Sequence, residues 1–273
     1  MSEAKTSKAK DSNLRTLTVA LILCLVCSVM VSVAAISMQP KQQQNIEIDR
    51  NKNILMAANL FDPAKQTNAD AQQLFKNVEV RLVDLKQGKF ADEQSLKAVG
   101  ITDVNAYDAI EAVKDPKLSD DVGEDDPARV GATPKFAKVY LIKDPTGSIK
   151  NVVLPINGYG LWGQIYGFIT LKADINTVEG ISFYQHKETP GLGALIEETK
   201  WRSQWAGKQA YDNTGKIITG VVKSGSPKPN PNYVDGVTGA TITSAGVNNM
   251  IQFWLGERGY KPFLDNLRTA KAG

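Results

Sequence analysis

Asp235-Gly236-Val237-Thr238-Gly239-Ala240-Thr241-Ile242-Thr243-Ser244 joins a Pro-rich loop to a helical pattern near the C-terminus. Its small residues let a bulky group approach the backbone, and hydroxyls stand where a helix is about to begin. A helix start favours a phosphate, because free N–H groups and the positive end of the helix dipole face outward there. The run lacks the lysine of a Walker loop, so it does not point to a nucleoside triphosphate. Downstream, Val247, Met250, Ile251, Trp254 and Leu255 form one apolar face and Gly256 suits its end. That spacing predicts a helix over residues 244–255.

Upstream the pattern alternates between the two periods. Residues 136–142, the turn Asp144-Pro145-Thr146-Gly147 and residues 152–156 read as a hairpin. Further strands are expected at 165–171, 178–184 and 217–222, and Val78, Val80 and Leu82 alternate as a strand does. Helices are expected at 46–60, at 104–113, at 194–205 and after Thr67-Asn68-Ala69-Asp70, with Leu74 and Phe75 facing inward. The mixture is α+β with a largely antiparallel sheet. No Gly-x-Gly-x-x-Gly follows a strand, so no dinucleotide domain is expected. The acidic run at 119–126 does not match an EF-hand loop and reads as solvated, with no metal site.

The one strongly apolar segment lies near the N-terminus. Thr16 to Pro40 carries no charge, which exceeds the ~20 residues a spanning helix needs. Ala34-Ala35 loosely suggests signal cleavage, but the apolar stretch outruns the ~7–15 residues of a signal core, so an uncleaved anchor is expected. Lys5, Lys8, Lys10 and Arg15 precede it, and Lys41, Glu47, Asp49 and Arg50 follow. The basic excess on the N-terminal side is expected to keep that end cytoplasmic and put the main domain on the other face, which in a Gram-negative bacterium is the periplasmic side of the inner membrane. With no ionisable group in the span, this helix offers no ion path of its own. Cys24 and Cys27 both lie inside it and read as small packing residues; the rest of the chain has no cysteine and so no disulfide. A formal charge of +3 is too balanced for a nucleic-acid partner. The expected layout is a cytoplasmic tail (1–15), a transmembrane helix (16–40), a helical and mixed part (41–135) and a ligand-binding part (136–273).

The Thr-Gly-Ala-Thr run ending at Thr241 resembles the flavin-attachment motif of FMN-binding domains, where the last Thr carries FMN through a phosphoester bond. Two more loop segments join it: Asn157-Gly158-Tyr159-Gly160-Leu161-Trp162-Gly163, and His186-Lys187-Glu188-Thr189-Pro190-Gly191-Leu192-Gly193. With the anchor and the chain length, these resemble the C subunits of the Na⁺-translocating NADH:quinone oxidoreductases. The Rnf complexes contain a related subunit with the same motif.

That resemblance implies a redox subunit with FMN on Thr241, in a membrane complex that oxidises NADH, reduces ubiquinone and exports Na⁺. Thr238, Gly239, Ala240 and Thr243 would surround the phosphate. Trp162, or Tyr159, with Gly163 would cover part of the ring, and Glu188, Thr189, Gly191, Leu192 and Gly193 another part. No catalytic side chain is called for, since the cofactor carries the chemistry. The implied partners are subunits A, B, D, E and F of the complex, the membrane, and a flavin transferase using FAD and Mg²⁺. Taken singly, each feature has a plainer reading: Thr241 a helix cap, 158–163 a tight turn, His186 a loop residue. Their coincidence with the anchor favours the flavin. The rivals are the Rnf subunit, a tethered module that binds a phosphate ligand reversibly, and an anchored reductase acting alone.

Overall fold

The computed structural model describes residues 13–272; Lys5, Lys8 and Lys10, on which the orientation rests, lie outside them. The chain divides after Glu47 into two compact units. Helix α1 (Asn13–Ala57) runs through Pro40 and passes from the first unit into the second. Its most apolar stretch has a mean hydropathy of 2.9 and is exposed throughout, so by length and composition it qualifies as a membrane span. Within it the hydroxyls of Thr18, Ser28 and Ser37 donate to the carbonyls of Leu14, Leu25 and Ala34. Such polar groups are thereby satisfied inside their own helix, as a lipid environment requires.

In the second unit, α2 (Asn68–Phe75) starts at Thr67, whose hydroxyl and the Asp70 carboxylate form a capping box. There follow β1 (Val78–Asp84), β2 (Lys89–Phe90), α3 (Glu93–Ala98), α4 (Ala109–Ala112), β3 (Ser119–Asp121), β4 (Ala132–Pro134), β5 (Phe136–Lys143), β6 (Ile149–Tyr159), β7 (Gln164–Lys172) and β8 (Val178–Gln185). The chain ends with α5 (Thr199–Arg202), β9 (Gly220–Val222), β10 (Tyr233–Asp235), α6 (Thr241–Trp254) and α7 (Lys261–Ala272). Six strands form an antiparallel sheet in the order β2-β1-β5-β6-β7-β8.

Strand alternation gives this sheet two buried faces. On one, the row Val80–Tyr140–Val153–Thr170–Gly180 crosses five strands. The end of α1 covers it, with Ile54, Ala57 and Ala58 packed among Tyr140, Ile142, Val153 and Phe168. Gly180 is needed there, since a Cβ would stand 2.7 Å from the Ala57 carbonyl oxygen. On the other face Val139, Leu154, Ile169 and Ile181 meet Val247, Met250, Ile251 and Trp254 of α6 and Phe263 and Leu264 of α7. The helix bearing the opening sequence run thus lies against the centre of the sheet.

Several expectations need correction. Only residues 109–112 of the expected 104–113 helix are helical: the Asp103 carboxylate takes the Asn105 N–H in a turn and Asp108 caps the next one. The 194–205 helix is broken into two 3₁₀ turns around α5, because Glu198 is extended (ψ 139°). Part of the acidic run pairs with β4 as β3. The 217–222 strand shrinks to β9, and Ile217 makes only an isolated bridge to Tyr211. Helix α6 begins at Thr241, three residues before 244. Apart from these corrections, β1 in the 41–135 part pairs along its length with β5 in one sheet.

Candidate functional site

The three singled-out segments leave the ends of neighbouring elements: residues 160–163 form the β6–β7 turn, 186–193 follow β8, and 236–240 lead from β10 into α6. One side chain joins them. Glu188 is 5% exposed. Its Oε1 accepts the N–H groups of Leu161 (2.9 Å) and Trp162 (3.1 Å), and its Oε2 accepts the Thr243 hydroxyl. The segments press together so closely that glycine is required. A Cβ at Gly193 would stand 2.6 Å from Glu188 Oε2 and 2.7 Å from Thr243 Oγ1, and one at Gly160 would meet the Glu188 carboxylate and lie 2.7 Å from Ile165 Cδ1. Gly163 is buried beside Lys187.

The α6 terminus has unusual capping. Ala240 occupies the cap position with no side-chain hydrogen bond. Ser244 is the first residue to close a helical turn, onto the Ala240 carbonyl (3.0 Å). Helix geometry therefore leaves the N–H groups of Thr241, Ile242 and Thr243 without intrahelical acceptors. Ser244 itself reaches back, its Oγ accepting the Val237 N–H at 2.9 Å. Thr241 is exposed at the first helical position, and its hydroxyl has no partner among the described residues; it is not a cap. Gly239 has φ +81° and lies against Leu192, a Cβ there being 3.4 Å from Leu192 Cδ2. The 188–193 turn closes through the Thr189 carbonyl, which accepts from Leu192 and Ala194, with Gly191 at φ +74°.

Around this turn stand exposed apolar side chains: Leu161 (43%), Trp162 (61%), Leu192 (46%) and Ile242 (58%). Tyr159 is exposed at the rim beneath the Arg129 guanidinium, 5.4 Å from its ring centroid. Thr243, by contrast, is 1% exposed with its hydroxyl committed to Glu188. His186 is held, not free: Nδ1 accepts the Glu188 N–H at 3.1 Å, and Nε2 lies 2.8 Å from Glu197 Oε1.

Sequence reasoning missed three supports. The Ser224 and Thr238 hydroxyls are bonded at 2.8 Å. Asp235 is pinned from both sides, its carbonyl accepting Trp201 Nε1–H (2.8 Å) and its N–H donating to Gln204 Oε1 (2.9 Å). Its carboxylate pairs with Lys228 at 2.9 Å. The only signal for these was the β9–β10 pairing itself, which sets Val222 beside Asp235.

An uncapped helix start, a free hydroxyl and an apolar rim together fit a phosphate with a flat ring attached, so these residues suit FMN. The unmatched N–H groups and the dipole would offset its phosphate charge, and the apolar side chains would cover a stackable ring. Among the described residues no group of three or more His, Cys, Asp or Glu is arranged for a metal.

A family model described as FMN-binding domain matches residues 160–256. The C subunit of the Na(+)-translocating NADH-quinone reductase of Pseudomonas aeruginosa is 41% identical over 269 residues, 96% of this chain and 99% of that protein. Its counterpart from Pasteurella multocida is 41% identical over 264 residues, 96% of this chain and 97% of that one. The crystal structure of Shewanella oneidensis NqrC superposes with a TM-score of 0.70 at 33% identity, covering 80% of this chain and 96% of that one. The corresponding protein of Parabacteroides distasonis gives 0.63 at 27% identity, with 83% and 96% covered.

Proposed function

The chain belongs to the family of Na⁺-translocating NADH-quinone reductase C subunits, and from that premise we propose that it carries FMN on Thr241 through a phosphoester bond. It is a membrane-anchored subunit of an oxidoreductase complex. When bound, the FMN accepts electrons derived from NADH and passes them toward quinone, in a complex that exports Na⁺. The observation that carries the reading is the free Thr241 hydroxyl at an uncapped helix start, against a turn held by three converging loops.

The residues have separate tasks. The Thr241 oxygen would displace AMP from FAD in a reaction run by a flavin transferase with Mg²⁺: the O–P bond would form, the pyrophosphate bond break and the hydroxyl proton go to solvent. The phosphodiester so formed keeps one negative charge, which the N–H groups of residues 241–243 and the dipole of α6 offset. Thr238, Gly239 and Ala240 give the phosphate access. Leu192 would offer an apolar face to one part of the ring, and Trp162 to another. The Thr189–Gly193 turn brings backbone near it. Glu188 and Thr243 hold the loops in place.

The same proposal puts the domain carrying the flavin on the periplasmic side of the inner membrane, with the N-terminus cytoplasmic and subunits A, B, D, E and F as partners. Residues 16–40 would span the membrane and 136–273 would hold the flavin, with 41–135 as support. Ser28, Ser32 and Ala35 recur at near-helical spacing and permit close packing on partner helices.

The test is in-gel flavin fluorescence after denaturation, with intact mass, on wild type and Thr241→Val co-expressed with the transferase. Fluorescence and an FMN-sized mass gain in wild type alone are expected. Flavin in both would move the attachment site, to Thr238 or Thr243 first. Flavin in neither would sink the electron-carrier reading and favour a reversible phosphate-binding module.

A further inference from the structure

Glu188 is the carboxylate buried at the centre of the site, and its bonding exceeds what a loop tie requires. Three donors converge on it: two backbone N–H groups on one oxygen and the Thr243 hydroxyl on the other. That acceptor-only pattern suits an ionised carboxylate. Among the described residues it has no cationic partner; Lys228 pairs with Asp235 instead, and His186, whose Nδ1 accepts the Glu188 N–H, lies against Glu197. Burying a charge without a counter-ion is costly even when it is fully hydrogen-bonded. A glutamine would hold the same two N–H groups through its carbonyl, so joining the loops does not account for the charge. The peptide groups that bind Oε1 belong to Leu161 and Trp162, whose side chains form the exposed apolar rim.

We propose that Glu188 is a positioning residue whose fixed negative charge, set beneath the rim by the Leu161 and Trp162 N–H groups, holds down the reduction potential of the flavin. The inference rests on the flavin reading of this site. In the step concerned the oxidised ring takes two electrons from the reductant and one proton from solvent, and so gains one net negative charge. A fixed negative charge nearby, with no cationic partner, disfavours that gain. Neutralising it therefore makes the flavin easier to reduce.

The experiment is a spectroelectrochemical titration of the full-length, flavin-loaded protein: wild type, Glu188→Gln, Glu188→Asp and Thr243→Val. Glu188→Gln is expected to raise the reduced-to-oxidised ratio at a fixed potential by about tenfold, the order for a unit charge ~10 Å away at an effective dielectric of about 20. For a two-electron couple that is about 30 mV. Glu188→Asp and Thr243→Val, which keep the charge while disturbing the tie, are expected to stay within about twofold of wild type. An unchanged ratio in loaded Glu188→Gln overturns the proposal. So does an equal upward shift in Thr243→Val, which would make geometry the cause. Should Glu188→Gln load no flavin, Glu188→Gln combined with Thr243→Val provides the neutral site. Failure of both to load while Glu188→Asp loads normally reduces Glu188 to a structural tie and also refutes the proposal. Absence of flavin from wild type is a separate result, which removes the flavin reading itself.

Discussion

Gly246→Ala tests whether the attachment helix is held against the site by backbone contact. Gly246 lies five residues beyond Thr241 on α6 and is buried. A Cβ there would run into the Tyr159 carbonyl oxygen and stand 3.2 Å from Gly160 Cα, backbone atoms where β6 passes into the β6–β7 turn. Carbon contacts settle near 3.5–4.0 Å, so the helix or the turn must retreat by about 1 Å. Overpacking of this kind costs about 1–3 kcal/mol, while replacing a mid-helix glycine by alanine returns about 1 kcal/mol. The net is a loss of up to ~2 kcal/mol, or a Tm lower by up to about 8 °C in a domain of this size. Ala245→Gly, at the exposed neighbouring position, isolates the propensity term with its sign reversed. It should cost about 1 kcal/mol and no more. Differential scanning calorimetry of residues 48–273 reads both. A Gly246→Ala domain that melts at or above wild type would refute the close-contact argument, since helix propensity alone would then account for it.

Three other outcomes follow from the structure. Thr241→Val should abolish covalent flavin yet melt within about 0.5 kcal/mol of wild type, because the exposed hydroxyl supports no capping bond; a large loss of stability by calorimetry would restore the cap reading. Ala240→Ser should stabilise the flavin-free domain by about 0.5–1 kcal/mol, by supplying the missing cap, and should slow flavin attachment, by engaging N–H groups the phosphate needs. Burial pushes the Tyr140 phenol up to about 12 from an ordinary 10. Its protonated form is favoured by folding, so its contribution is complete below pH 10 and is lost as pH rises toward 12. Urea melts of Tyr140→Phe across that window should show a shallower alkaline decline than wild type.

Much of the architecture was legible because its signals are local. The Asp144-Pro145-Thr146-Gly147 turn is written into four adjacent residues, and Asp144 does take the N–H groups of Thr146 and Ser148. Thr67 and Asp70 announce α2 in the same way. The failures fall where local pattern and tertiary bonds diverge. Trp201 and Trp205 have helical spacing, yet both bury against the core from separate turns, and the extended Glu198 cuts them off from the residues before it. The start of α6 was misread because Ala240 is not among the residue types that mark a cap. In the candidate site the loops could be singled out from their glycines and hydroxyls, but their tie could not. Glu188 finds its donors 27, 26 and 55 residues away in the chain, and Ser224 meets Thr238 only because β9 and β10 pair in parallel.

The Thr-Gly-Ala-Thr run makes physical sense as a set of removals. A helix start is normally satisfied by its own chain, through a Ser, Thr, Asp or Asn at the cap. Here the cap is alanine, so the first-turn N–H groups keep no internal acceptor. The residue before it is glycine at φ +81°, a conformation that side chains rarely adopt, and it rests on Leu192 instead of shielding the helix end. Of the hydroxyls nearby, Ser244 is bound to Val237, Thr243 to Glu188 and Thr238 to Ser224. The Thr241 hydroxyl is left exposed and without a partner among the described residues. Three hydroxyls are thus fixed in place, and the fourth is available where an incoming phosphate meets the most favourable potential. On the proposed attachment, selectivity for one threonine among several would need no special reactivity at Thr241: its neighbours are already bonded, and the helix dipole acts on the one that is not.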